Sequence, residues 1–183
     1  GPMSEEELVA SCILILFAGH ETTMNLIGNA TLLLLKHRNQ LALLRDDPNL
    51  VSSMVEEVLR YECAAFVIVR VADEDIIIGG KTIAKGDRVF LMLGAANRDP
   101  MHFDNPESFD IQRNPNRHLS FGYGIHFCIG AQLARVEAEV AFKYLLPLIG
   151  DIEPVSEELD WDDNFVLRGV KSLLLRRPAV AAA

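Results

Sequence analysis

A capped, strongly apolar segment opens the hydrophobic pattern of this 183-residue chain. Ser4, followed three residues later by Glu7, forms a capping-box pattern that predicts the start of a helix running to about Lys36. The first half of that helix, residues 8–18, is apolar on almost every face, so it needs burial all round. The longest apolar run, 8–19, is interrupted by Ser11 and is shorter than a bilayer requires, and we therefore expect no membrane span.

The rest of the pattern alternates short helices with short strands. Helical periodicity predicts helices at about 39–45, at 49–62 and from Cys128 to Leu146. Runs rich in β-branched residues predict strands at 66–72, 76–78, 89–93, 165–168 and 171–176, the last two forming a hairpin around Gly169. The expected fold class is therefore mainly α with small β-sheets, an α+β arrangement.

The domain organisation follows from the same pattern. No repeat, low-complexity tract or linker-like change of composition interrupts the sequence. We expect residues 1–3 to be an expression scar and start methionine with no signal peptide, 4–177 to form one domain, and 178–183 to be a flexible tail.

Composition and charge narrow the function. Half of the residues are hydrophobic and 23% are charged. The length of 183 residues is enough for one domain with a sizeable core. The net charge of −9 argues against nucleic acid as a main partner. Cys12, Cys63 and Cys128 have no paired spacing, which excludes a zinc or disulfide framework and predicts a reducing, cytoplasmic location.

The strongest chemical candidate is the stretch 121–130, Phe-Gly-Tyr-Gly-Ile-His-Phe-Cys-Ile-Gly. Its three glycines permit backbone angles and close approaches that a side chain would block. Cys128 is predicted to begin a helix, where free N–H groups favour a thiolate. Most single cysteines are inert core residues. Here the glycines and the neighbouring Arg117, His118 and His126 favour a ligand or a nucleophile.

The Phe-Gly-x-Gly-x-His-x-Cys-x-Gly spacing resembles the heme-binding loop of the cytochrome P-450 superfamily, closest to its soluble bacterial members. The resemblance implies that Cys128 is the axial thiolate ligand of the iron of a heme b cofactor. It further implies that the cofactor-binding residues of the loop are Phe121, Gly122, His126, Cys128 and Gly130.

A second segment, in the middle of the first predicted helix, resembles the oxygen-activation segment of the same family. Its residues are Ala-Gly-His-Glu-Thr-Thr at 18–23. By resemblance, Thr22 with Glu21 would be catalytic and relay protons, and Ala18 and Gly19 would leave room for dioxygen beside the heme. The alternative is a helix bend in which threonine hydroxyls bond back to carbonyl groups.

A Glu-x-x-Arg pattern, Glu57 to Arg60, resembles another family signature. The two residues share a helix face, where an exposed ion pair of little energetic value is the simplest interpretation. By resemblance, the pair is buried, is completed by Arg113 into a structural triad, and holds the cysteine loop.

Three basic residues match the family's propionate donors. Arg70 lies inside a predicted strand, where an unpaired cation would be unfavourable, and its guanidinium suits a carboxylate. His118 and His126 match two further donors. Each residue alone would be ordinary, but together the three favour heme propionate binding.

The chain also departs from the family. Arg38, Ala64 and Ala84 stand where prolines are usual, so the helix end and two turns are expected to be less rigid. The resemblance covers nearly the whole chain but only the C-terminal half of a family member. The apolar helix 8–18 would then be uncovered, which predicts self-association or a partner chain.

The leading hypothesis is a heme-thiolate monooxygenase, or its truncated heme-binding half, that inserts one oxygen atom of dioxygen into a small organic substrate. Electrons would come from a ferredoxin- or flavodoxin-type partner. The basic patch that it could use comprises Arg113, Arg117, Arg135 and Lys143. Two alternatives stay open: a heme-free or inactive truncated homologue acting as an oligomerising interaction module, and a non-oxidative enzyme built on the truncated fold.

Overall fold

The computed structural model of the chain describes residues 2–178 and is mainly helical with small antiparallel sheets. The helices are α1 (Glu5–Lys36), α2 (Arg38–Asp46), α3 (Val51–Tyr61), α4 (Leu93–Ala96) and α5 (Ala131–Ile149). The strands are β1 (Val67–Val71), β2 (Ile76–Ile78), β3 (Lys81–Ile83), β4 (Arg88–Met92), β5 (Glu153–Pro154) and β6 (Leu175–Arg176). The predicted fold class is confirmed. Most of the predicted tail, 179–183, lies outside the described residues, as does Gly1.

The predicted capping box at the start of α1 is confirmed. The Glu7 N–H donates to Ser4 Oγ at 3.2 Å, and the Ser4 N–H donates to a Glu7 carboxylate oxygen at 2.8 Å. At the other end, His37 leaves the helical conformation with φ −107° and ψ 70°, and α2 begins at Arg38. The break between the two helices is therefore sharp although no proline enforces it.

The two halves of α1 differ in burial. The C-terminal half supplies buried core residues from Leu26 to Leu35, whereas 13–17 in the N-terminal half are exposed. Among residues 2–178, α1 is the one helix long and apolar enough to cross a membrane. A core helix of a soluble protein meets the same criterion. The absence of a span, inferred from the shorter run 8–19, stays a prediction.

The core lies where α1, α2, α3 and α5 meet. The cluster of buried side chains draws on the second half of α1 and on one face of each of the other three helices. Its fully buried members include Leu34, Leu44, Met54, Val58 and Phe142. This helical layer supports the loop that contains the cysteine, since α3 and α5 flank that loop.

The C-terminal segment does not form the predicted hairpin around Gly169. Leu167 makes an isolated bridge with Ala65, and Leu175–Arg176 pairs with Glu153–Pro154 as β6 and β5. The prediction was wrong because short apolar runs specify strand character but not the partner strand. Tertiary contacts supply distant partners here.

A side-chain hydrogen bond stabilises the turn at Ala84, one of the positions where the family usually has a proline. The Ala84 N–H, which a proline would not have, donates to the Asp87 carboxylate at 2.9 Å. The Asp87 N–H donates back to the Ala84 carbonyl at 3.0 Å, and Gly86 adopts φ +92° in this turn. Side-chain hydrogen bonding thus stabilises the turn before β4.

A buried ion cluster joins α3 to the segment 104–116. Arg60 donates two hydrogen bonds of 2.8 Å to the two oxygens of Glu57, and both side chains have no exposed surface. Arg113 donates to the same carboxylate at 3.1 Å. The Asp110 N–H and the Asn116 side-chain amide complete its shell at 2.9 and 3.1 Å.

The guanidinium groups of this cluster also cap loop carbonyls. Arg60 donates to the carbonyls of Asn97, Pro106 and Ser108. Arg113 donates to those of Asp104, Asn105 and Ser108. Since buried charges are tolerated only when paired and hydrogen-bonded, the cluster fixes this long loop on α3.

We expect Glu57→Gln to lower the free energy of unfolding by about 3–5 kcal/mol, because it leaves two inward-facing guanidinium groups without their anion. Urea denaturation followed by circular dichroism measures this loss. The matched control is Glu107→Gln, whose carboxylate pairs with Arg98 at the surface. We expect the control to cost less than about 1 kcal/mol. Equal losses for the two variants would show that the buried cluster contributes no special stability.

Candidate functional site

The cysteine loop has the glycine-dependent backbone that its sequence predicts. Gly122 and Gly124 adopt φ of +72° and +73°, a region that side-chain-bearing residues rarely occupy. A short 3₁₀ turn covers Gly124–His126, and the Cys128 N–H then donates to the Phe121 carbonyl at 2.9 Å. The loop therefore closes on itself immediately before the cysteine.

The prediction that Cys128 begins the following helix was wrong, because α5 starts at Ala131. The Cys128 carbonyl accepts the Ala131 N–H at 3.2 Å, so the cysteine still precedes the first turn. A Cβ placed on Gly130 would lie 3.9 Å from the Cys128 Sγ atom, an ordinary contact. The backbone conformation thus strongly favours glycine at 122 and 124 but not at 130.

Cys128 is exposed and lines a cavity of about 160 Å³ between α1 and the loop. The cavity is mostly apolar, and its other walls include Ala18, Thr22, Phe121 and Ala134. The structure therefore brings two distant sequence motifs, the loop cysteine and the polar interruption of α1, to one cavity.

The polar residues of α1 are not all at this cavity. Thr22 lines it, and its hydroxyl donates to the Ala18 carbonyl at 2.7 Å, the backbone hydrogen bond considered as the alternative in the sequence. Glu21 is half-buried, and neither it nor Gly19 is among the lining residues. A hydroxyl that donates within the helix keeps its lone pairs as acceptors, so Thr22 can still accept a hydrogen bond inside the cavity.

Arg70 and His126 line a second cavity, of about 380 Å³, on the sheet side of the same loop. Apolar side chains of β1 and β4 make up much of its wall, together with Gly122 and Tyr123. Arg70 donates one hydrogen bond to the Val69 carbonyl at 2.9 Å. A cation and an imidazole beside an apolar wall suit a flat apolar molecule that carries carboxylates.

His118, the third predicted carboxylate donor, lies elsewhere. Its side chain is 3% exposed, and its Nε2 atom lies 3.1 Å from a Glu56 carboxylate oxygen. Its Nδ1 atom accepts the Ser120 N–H at 3.2 Å. Both ring nitrogens are therefore engaged, and the structure does not bring His118 together with Arg70 and His126.

A contact between Glu56 and Arg135 was not predicted from the sequence. The guanidinium donates to the two Glu56 oxygens at 2.6 and 2.9 Å and lies 4.6 Å from the centroid of the Phe121 ring. Burial tends to raise the pKa of Glu56, but the hydrogen bonds from His118 and Arg135 outweigh it and hold the pKa at about 2. The only sequence signal was a second glutamate beside the Glu-x-x-Arg pattern.

These contacts reduce the predicted basic patch. Arg113 forms an ion pair with Glu57, and Arg135 forms one with Glu56, so the two positive charges are neutralised within the fold. Arg117 and Lys143 are exposed. The surface available to an acidic partner is therefore much less basic than the sequence suggests.

The donor set fits a heme better than a bare metal ion. Within residues 2–178 no group of three or more His, Cys, Asp or Glu side chains could hold a metal. A lone thiolate retains iron only if the other ligands arrive with the metal, as they do in a porphyrin. The apolar cavities beside Cys128 and the Arg70–His126 pair match the rest of such a molecule.

Comparison with known proteins supports the same conclusion. The family model described as Cytochrome P450 matches residues 44–147. The biotin biosynthesis cytochrome P450 of Bacillus subtilis is 49% identical over 171 residues, which make up 93% of this chain and 43% of that protein. The 6-deoxyerythronolide B hydroxylase of Saccharopolyspora erythraea is 42% identical, over 96% of this chain and 44% of its own length.

Solved structures agree with the sequence relatives. P450BioI in complex with acyl carrier protein ligated to hexadec-9Z-enoic acid superposes with a TM-score of 0.91 at 48% identity, over 96% of this chain and 46% of that one. The Bacillus subtilis polyketide synthase cytochrome P450 PksS also gives 0.91, at 45% identity, with the same coverage of both chains. The chain thus spans less than half the length of these relatives. It belongs to the cytochrome P450 family.

Proposed function

We propose that the chain is the heme-binding part of a heme-thiolate monooxygenase that inserts one oxygen atom of dioxygen into a small organic substrate. The observation that carries the proposal is that the exposed Cys128 thiol and Thr22 line one cavity, with Arg70 and His126 beside the same loop. The chain spans about 43% of the length of the biotin biosynthesis cytochrome P450, so the monooxygenase activity is proposed from the family and from this site.

The roles of the loop residues follow from their chemistry. Cys128 would hold the iron as a thiolate. A bound heme would supply the chemistry that side chains lack, namely reaction with dioxygen and electron transfer. Phe121 accepts the Cys128 N–H and so keeps the cysteine in place. Arg70 and His126 would bind the propionates, because a guanidinium and an imidazole N–H are suitable donors to carboxylates.

Protons would be handled on α1. The Thr22 Oγ1 atom already bonds to the Ala18 carbonyl, so its lone pairs can accept a proton donor inside the cavity. Glu21, the adjacent half-buried carboxyl, is the proposed source that replenishes the proton. Ala18 lines the cavity and offers little bulk, which would leave space there for a diatomic gas.

The electron donor is proposed to be a separate ferredoxin- or flavodoxin-type protein. Arg117 and Lys143 are the exposed cations left from the predicted patch. A cytoplasmic location is proposed with it, because Cys12, Cys63 and Cys128 are all free thiols, as a reducing compartment maintains them.

A second candidate function is a heme-free interaction module. It is favoured by the exposed apolar residues of α1, which offer a surface for association without any cofactor. Heme content of the purified protein separates the two functions, because an interaction module has no need of the cofactor.

We expect Cys128→Ser to abolish the thiolate-type Soret band of the reduced, CO-bound protein after heme loading, because a serine oxygen lacks the electron donation of a thiolate to iron. Visible spectroscopy measures this directly. The matched control is Cys12→Ser, which alters another exposed thiol, on α1, and should leave the band unchanged. Absence of the band from the unmodified protein would refute heme-thiolate ligation, and its survival in Cys128→Ser would refute the assignment to this cysteine.

We expect Arg70→Gln to raise the dissociation constant for heme between roughly 10-fold and 100-fold, the range for loss of a charge-assisted hydrogen bond. Titration with heme and with its dimethyl ester isolates the propionate contribution, because the ester lacks the carboxylate. The difference between variant and wild type should disappear with the ester. Arg88→Gln, on the neighbouring strand, is the control and should bind both ligands like wild type. A loss with the ester as large as with heme would rule out propionate binding.

We expect the chain to self-associate through the exposed face of α1 at micromolar concentration. Burying an aliphatic side chain contributes about 1.5–3 kcal/mol, so replacing Ile13 and Leu16 together by lysine should weaken association at least about tenfold. Sedimentation equilibrium measures the effect. Ile77→Lys, which alters an isoleucine equally exposed on β2, is the control. A monodisperse monomer would contradict self-association through α1. So would an equal effect on association of Ile77→Lys and of the double replacement of Ile13 and Leu16.

A further inference from the structure

Glu56 contacts the chain on both sides of the Cys128 loop. Its carboxylate accepts two hydrogen bonds from Arg135, in the first turns of α5, and lies within hydrogen-bond distance of His118, which precedes the loop. The three side chains come from three separate segments of the chain. Glu56 is also distinct from its neighbour Glu57, whose carboxylate faces Arg60 and the segment 104–116.

His118 transmits this contact to the backbone before the loop. Its Nδ1 atom accepts the Ser120 N–H at 3.2 Å, so the ring proton lies on Nε2 and is directed at Glu56. The Ser120 hydroxyl donates to the Leu59 carbonyl at 2.6 Å and accepts the Asn97 amide at 2.8 Å. The backbone entering the loop is therefore held on α3 by side chains that are themselves fixed.

Arg135 transmits the contact to the aromatic residue of the loop. Its guanidinium lies 4.6 Å from the centroid of the Phe121 ring, and the His118 ring lies 6.0 Å from the same centroid. Two groups that contact Glu56 thus lie near the Phe121 ring. Its carbonyl accepts the Cys128 N–H at 2.9 Å, so the position of Phe121 sets that of the cysteine.

We propose that Glu56 is a positioning residue for Cys128, acting through Arg135 and His118 to hold Phe121 and close the loop. The inference rests on the proposed function in that Cys128 is taken as the iron ligand. His118 is assigned here to loop positioning and not to the propionates, because both of its ring nitrogens are already engaged.

The charge state of the clamp supports the assignment. Hydrogen bonds from His118 and Arg135 keep the Glu56 carboxyl ionised far below neutral pH, despite its partial burial. The Glu56–Arg135 contact is bidentate, which restricts orientation as well as distance. A neutral amide in place of the carboxylate keeps the size of the side chain but cannot accept both guanidinium bonds equally well.

The test compares Glu56→Gln with wild type, in the apo form and after heme loading. In the apo form, amide hydrogen exchange of the segment 119–128 should rise roughly tenfold or more, while core helices keep their protection, because only the local clamp is lost. Alkylation of Cys128, followed by mass spectrometry, should accelerate over the same range. After loading, the fraction of the thiolate-type CO complex should fall.

Two further variants sharpen the test. Arg135→Lys keeps the charge but loses the planar fork and the guanidinium contact with Phe121, so it should reproduce the part of the Glu56→Gln effects that acts through Arg135. The double variant should add little to Glu56→Gln, because that change already weakens the Glu56–Arg135 contact that Arg135→Lys removes. Glu139→Gln is the matched control, because it removes a neighbouring charge that acts on Arg135 only through space.

The outcomes separate this inference from the proposed function. If wild type forms no thiolate complex, the proposed function fails, and the apo exchange and alkylation data still decide whether Glu56 holds the loop. If wild type forms the complex and Glu56→Gln matches it in exchange, alkylation and spectrum, positioning by Glu56 is refuted. A uniform loss of protection throughout the protein would also refute it, because that result indicates general destabilisation.

Discussion

A carboxylate without exposed surface must find counter-charges inside the protein, and the arrangement around Glu57 follows from that requirement. The cost of removing this group from water is offset only because Arg60, Arg113 and backbone or amide donors surround it. The same guanidinium groups cap carbonyls of the segment 104–108, which contains no helix or strand of its own. One buried charge thereby organises a long irregular stretch on the path to the cysteine loop.

Adjacent positions on α3 serve two different parts of the chain. Successive helix residues point about 100° apart, so Glu56 and Glu57 contact different neighbours from the same helix. Glu57 holds the segment before the loop, and Glu56 contacts the loop's entrance and the helix after it. This arrangement also explains why Arg113 and Arg135 do not form the basic surface that their sequence positions suggested. Arg113 pairs with Glu57 and Arg135 pairs with Glu56 within the fold.

The exposed apolar half of α1 leads up to the cavity that Cys128 lines, since Ala18 is among the lining residues. Residues 13–17 of α1 are apolar and exposed, whereas a helix that is apolar on all faces is usually buried. The chain spans about 43% of the relatives that it matches. The loop that contains the thiol and the helices α3 and α5 that contact it all lie within the described residues.

Local patterns in the sequence determined the helices, the capping box at Ser4, the strand character and the glycine-dependent turns around Cys128, because these depend on neighbouring residues. A family motif also indicated the cysteine and the Glu57 partners. Only the tertiary structure decided that the C-terminal strands pair with distant segments, that α5 begins after the cysteine, and that His118 turns to Glu56. Hydrogen-bond partners far apart in sequence leave no periodic signal, so the choice among several chemically suitable partners is made by packing.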